Sequence, residues 1–132
     1  MLLARKYVNL NNGGTECGQT ALSRAAAWGH EGVVKMLLER EDVKPDQADT
    51  KYGRTPLARA AAWGHGGVVK MLLEREDVNP DQADTEYGRT PLLWAARNGH
   101  EEIVKMLLER KEVDPNFRET KNGETALVTA AM

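Results

Sequence analysis

The most regular feature of the chain is a set of paired apolar positions, Val68-Val69 and Leu72-Leu73, with Lys70, Glu74 and Arg75 on the intervening side. That spacing predicts an amphipathic helix with one face turned to a core. Upstream, Leu57, Ala60 and Ala61 form a narrower apolar face that begins at Thr55-Pro56 and stops at Gly64. A threonine hydroxyl accepts from an orphan backbone N–H at a helix start, and proline loses nothing at the first helical position. Glycine tolerates the left-handed conformation that ends a helix. A short, alanine-lined helix is therefore expected before the amphipathic one. Downstream, Asp77 to Tyr87 carries Asn79-Pro80-Asp81 and no hydrophobic period, which predicts a long loop returning the chain.

The same pattern recurs. Residues 53–87 differ from residues 18–52 at six positions, and residues 88–122 follow in the same register, so the period is 35 residues. Glycines fall at 18, 53, 88 and 123, each followed two positions later by Thr20, Thr55, Thr90 or Thr125. Met1-Leu2-Leu3 aligns on Met71-Leu72-Leu73, and residues 123–132 repeat only the first third of a unit. The expected organisation is one domain, 1–132, with a partial repeat at 1–17, full repeats at 18–52, 53–87 and 88–122, and a truncated repeat at 123–132. Such ends are expected of a piece taken from a longer array. Helices of about two to three turns are marginal alone because nucleation is costly. Each unit must lean on its neighbours.

Gly-Arg-Thr-Pro-Leu (53–57), Ala-Ala (60–61), Gly-His (64–65), Val-Val (68–69), Leu-Leu (72–73) and Asp-Val-Asn (77–79) together resemble the ankyrin repeat, over essentially the whole chain. The resemblance implies an all-α solenoid of helix–turn–helix units with long finger loops, stacked into an L with helices behind and fingers in front. It also implies a protein that binds other proteins and performs no catalysis. Three departures stand out. The histidine that usually follows Thr-Pro-Leu is replaced by Ser23, Ala58, Leu93 and Val128, the usual Gly-Ala after the second helix is Arg-Glu, and the finger is longer. A period of 35 against about 33 residues resembles arrays in large fungal ankyrin proteins.

Composition narrows the function. With 18 Lys+Arg, 20 Asp+Glu and a net charge of −2, the chain lacks the basic field on which nucleic-acid affinity depends. Cys17 is the sole cysteine and has no internal disulfide partner. No apolar run approaches the roughly 20 residues of a membrane span, and the N-terminus does not read as a signal peptide. An intracellular, cytoplasmic protein is expected, with neither nucleic acid nor membrane as partner.

The residue types that carry chemistry are present but poorly arranged for it. His30, His65 and His100 occupy one repeat position, so stacking separates them by about 8–10 Å, too far for one metal. They are expected to tie down the turn between the two helices. Cys17 has no repeated histidine beside it, and neither Gly13-Gly14 nor residues 64–67 continue as a phosphate loop. Asp46, Asp49, Asp81 and Asp84 lack the ligand order of a calcium loop. The mixed runs Glu39–Asp42 and Glu74–Asp77 read as a solvated edge. No catalytic residue, metal or cofactor is expected, and the chain reads as a non-enzyme.

The aromatics are placed more suggestively. Trp28 and Trp63 precede the glycine that ends the first helix, and Tyr52 and Tyr87 precede the repeat glycine. The resemblance places both positions on the concave, partner-reading side, with Arg54, Arg89, Arg97 and Asn98 beside them. Tryptophan, tyrosine and arginine most often carry binding energy at interfaces. The competing expectation is that the indoles lie flat on adjacent repeats and complete their packing. Trp94 shares its register with Arg24 and Arg59 and reads as packing on a different face. At the ends, Leu2, Leu3, Ile103, Leu107, Leu108 and Leu127 are expected to lack covering helices, which would favour self-association of a protein of as yet unnamed partners. The expected function is a protein-interaction scaffold. The alternative is a self-assembling repeat fragment, natural or engineered, without an external ligand.

Overall fold

The computed structural model describes residues 18–117. Six helices follow in order: α1 (Ala21–Trp28), α2 (Glu31–Leu38), α3 (Pro56–Trp63), α4 (Gly66–Leu73), α5 (Pro91–Arg97) and α6 (Glu101–Leu108). Among the described residues there is no strand. Each first helix starts where the threonine signal places it. The hydroxyls of Thr20, Thr55 and Thr90 accept from the backbone N–H of Ser23, Ala58 and Leu93 at 3.1, 3.1 and 3.3 Å. Each threonine thus caps its own helix.

The core runs through the stack as rows of equivalent residues. Leu22, Leu57 and Leu92 are buried from the first helices, and Leu37, Leu72 and Leu107 from the second. Alanines line the first-helix contacts, with Ala26, Ala60, Ala61 and Ala95 fully buried. Side chains this small allow close approach, and α3 packs on α1 and α5 more extensively than α4 does on α2 and α6.

Polar ties between units repeat as regularly as the core. His65 and His100 place Nε2 against the carbonyls of Ala27 and Ala62, at 2.9 and 3.0 Å. Expected to tie down the turn between the two helices, these histidines reach back from it to the preceding unit. The charged runs also do more than form a solvated edge. Arg75 donates to the Leu38 carbonyl at 2.8 Å while its other nitrogens clasp Asp77, and Arg110 does the same with the Leu73 carbonyl and Glu112. In the fingers, Asp46 accepts from Asn79 N at 2.6 Å and Asp81 from Asp114 N at 3.0 Å. Among the described residues each unit is therefore bonded to the next at its turn, its helix exit and its finger.

Candidate functional site

The face between the first helices and the fingers is built on two buried carboxylates. Asp49 Oδ1 accepts from the backbone N–H of Tyr52 and Gly53 at 2.6 and 3.0 Å, and Asp84 Oδ1 accepts from Tyr87 and Gly88 at 2.8 and 3.0 Å. Each thereby closes the finger just before the repeat glycine. The second oxygen faces the first helix. Asp49 Oδ2 accepts from Arg59 Nη2 at 2.6 Å, and Asp84 Oδ2 accepts from Trp94 Nε1 at 2.8 Å. Arg59 and Trp94 hold equivalent positions, so a guanidinium in one unit and an indole in the next perform the same tie.

Trp94 therefore belongs to this face, contrary to its reading as packing elsewhere. The Arg54 guanidinium lies 4.5 Å from the Trp94 ring and 4.8 Å from that of Tyr52. Arg89 lies 4.9 Å from the Trp94 ring and 4.3 Å from that of Tyr87, and Tyr87 meets Trp94 edge-on at 6.3 Å. Guanidinium over an aromatic face is attractive through the ring quadrupole, more so where water is excluded. The fingers are stiffened by this alternation of cations and rings.

Beside that layer the indoles of Trp28 and Trp63 stand free, 68% and 65% exposed. They flank a depression of about 290 Å³, with Gln19, Ala27 and Arg59 completing its wall. A second depression of about 480 Å³ is lined by Arg54, Arg59, Ala62, Trp63, Trp94, Asn98 and His100. Arg59 and Trp63 border both. The two depressions adjoin at these residues and together make up a groove beside the stacked first helices.

The structure sorts the residues singled out from sequence. Trp28, Trp63, Arg54 and Asn98 line the groove, Tyr52 and Tyr87 are half-buried beside it, and Arg97 is exposed on α5. Asn98 stands where the other units have tryptophan, and its amide donates to the Ala62 carbonyl at 2.8 Å. Arg89 is a correction: only 5% exposed, it is consumed by its two ring contacts and is not presented to a partner. Ile103 and Leu107 are a second correction, being 2% and 0% exposed within the core, so they offer no outer apolar surface. Leu108 is 50% exposed. Leu2, Leu3 and Leu127 lie outside the described residues.

The sequence reading missed Arg59, Asp49 and Asp84 as builders of the face. Their signal is in the register, because positions 49 and 84 are both aspartate while the helix position ten residues on switches from arginine to tryptophan. Two side chains with a common N–H donor, and little else in common, point to a shared acceptor. Asp49 and Asp84, considered above only as calcium ligands, are that acceptor. Among the described residues no group of three or more His, Cys, Asp or Glu is placed to hold a metal ion.

Three helix–turn–helix units in one register, with capped first helices, alanine contacts and returning fingers, define a helical repeat solenoid. The family profile described as ankyrin repeats in three copies matches residues 1–84 and 76–132, and the chain belongs to the ankyrin-repeat family. Members of this family are in general protein-interaction modules and typically not enzymes. No curated protein matches the chain. Among the described residues no helix is long and apolar enough to cross a membrane.

Proposed function

We propose that the chain binds a protein partner along the groove, with Trp28 and Trp63 as anchors and Arg54 and Asn98 as polar readers. The observation that carries this reading is the exposure of two indoles on successive units, at 68% and 65%, beside two adjoining depressions. Tryptophans that complete packing give up most of their surface; these keep it. Anchors of this type dominate interface energetics, often at 2 kcal/mol or more each. An intracellular, cytoplasmic setting goes with this reading and rests on the single cysteine, which suits a reducing compartment.

The test uses peptides selected by display on the full chain. Trp28→Ala and Trp63→Ala should each weaken their binding by about tenfold or more while moving the melting temperature little. Lys70→Ala, on the exposed side of α4, should leave binding unchanged. Undiminished binding in both tryptophan variants, with a clear loss of thermal stability, would assign the indoles to packing and overturn the reading.

A second reading, self-association through the ends of the stack, retains one observation. Leu108 is 50% exposed whereas Leu73, at the equivalent position, is 9% exposed. Light scattering that finds a monomer at high micromolar concentration removes it.

A further inference from the structure

We propose that the groove selects an acidic segment of its partner, with a carboxylate set against Arg54 in the depression walled by Trp63 and Trp94, and apolar side chains beside Trp28 and Trp63. This rests on the reading of the groove as the partner-binding face and adds the chemistry of what it binds.

Charge complementarity is the first support. Arg54 and Arg59 are the charged residues bordering the two depressions, apart from the titratable His100, and no acid lines either one. The carboxylates of Asp49 and Asp84 are 0% exposed, behind the arginines rather than beside the groove. Arg24 is exposed at the register position of Arg59, and Arg97 is exposed at that of Ala27 and Ala62, which line the depressions. Arginines thus supply the charge that lines the groove of a chain whose net charge is −2.

The two central arginines differ in what they have left to give. Arg59 is committed to Asp49 at 2.6 Å, so its role is to hold the finger. Arg54 forms longer ion pairs, 3.7 Å from both Asp84 and Glu86 and beyond hydrogen-bond distance, and its Nε is buried without an acceptor. Stacking on Tyr52 and Trp94 fixes the guanidinium in place instead. With Nε buried, the terminal nitrogens are the donors that remain for a ligand, and a pair of them matches a carboxylate with two parallel hydrogen bonds. Arg54 is the reader. A nucleic acid is a poorer occupant, because four arginines on an acidic chain supply little of the counterion release on which such binding depends.

The experiment selects peptides from a randomised display library on the full chain and measures them against variants. The enriched peptides should carry net negative charge next to apolar residues, and replacing their Asp or Glu by Asn or Gln should weaken binding about tenfold. Arg54→Gln should lose as much and become indifferent to that replacement, while Arg54→Lys, which keeps the charge without the fork, should recover part. Neutral or basic peptides that depend on Trp63 but not on Arg54 overturn the acidic preference and leave the groove intact. Peptides indifferent to both residues, or no enrichment at all, overturn the groove itself. Arg54-dependent binding of single-stranded DNA or of phosphatidylserine vesicles, without an acidic peptide, overturns the choice of a protein partner.

Discussion

Asp46 and Asp81 hold neighbouring fingers together at a cost that pH makes visible. Each gives one oxygen to a backbone N–H of the next unit, and the other oxygen, Oδ1, is buried without a partner. Burial raises both carboxyls above their ordinary value of 3.8, outweighing the backbone bond, and the charges of Asp77 and Asp114 add to the shift. A raised carboxyl means the folded state holds its proton longer than the unfolded chain. The stabilisation is therefore complete below the ordinary value and is lost as pH rises through the folded one. Asp46→Asn keeps a carbonyl acceptor and removes the charge, so it should raise the melting temperature at neutral pH. The gain should vanish below about pH 3.8, which melts across that range would read. Asp77 moves the opposite way, because the Arg75 guanidinium holds its carboxyl below 3.8. None of these shifts was legible in the residue string, where all four finger aspartates look alike.

Among the elements, the first helices show how far local signals reach. Thr55-Pro56 and Gly64 bracket α3 as the sequence predicts, and Gly64 takes φ 80° as its C-cap. What the string does not contain is the second demand on that glycine. A Cβ there would stand 2.7 Å from the His100 ring of the next unit. Gly64→Ala should therefore cost more than the roughly 1–2 kcal/mol of a left-handed L-residue, since His100 must also leave the Ala62 carbonyl. In urea titrations His100→Ala should cost about 1 kcal/mol. The double variant should cost less than the two singles combined, because the contact that strains one is absent in the other. Strict additivity would contradict the coupling. α5 ends differently, with Asn98 in the capping position and Gly99 following at φ 76°. The groove thereby loses a third indole and gains an amide.

At the scale of the molecule, stability follows the number of neighbours. Val68, in the central unit, is 0% exposed, whereas Val33, its equivalent on α2, is 43% exposed. A repeat stack is held by nearest-neighbour interfaces, and among the described units the middle one packs on both others, so it should open last. Amide exchange should be slowest in α3 and α4 and faster in α2 and α6. Leu72→Ala should cost about 2–5 kcal/mol, while Met36→Ala, already half solvated, should cost well under that. Equal protection along the array would instead point to a single all-or-none unit.

The residue string by itself determined the repeat, its 35-residue register, the capped alanine helices, the amphipathic second helices and the family they build. These follow from local preferences and from periodicities that one strand of text displays. Tertiary structure alone decided which arginines are spent and which remain. Arg54 and Arg89 are equivalent in register and both read as surface residues, yet one is half-buried in the groove and the other only 5% exposed. Both stack on Trp94, each with the tyrosine of its own finger on its other side. Trp94 supplies the added ring where the preceding unit has Arg59; its contact with Arg89 lies within one unit, whereas its contact with Arg54 exists only once the units are stacked. Exposure is a property of neighbours, and neighbours 35 residues away are brought together by folding.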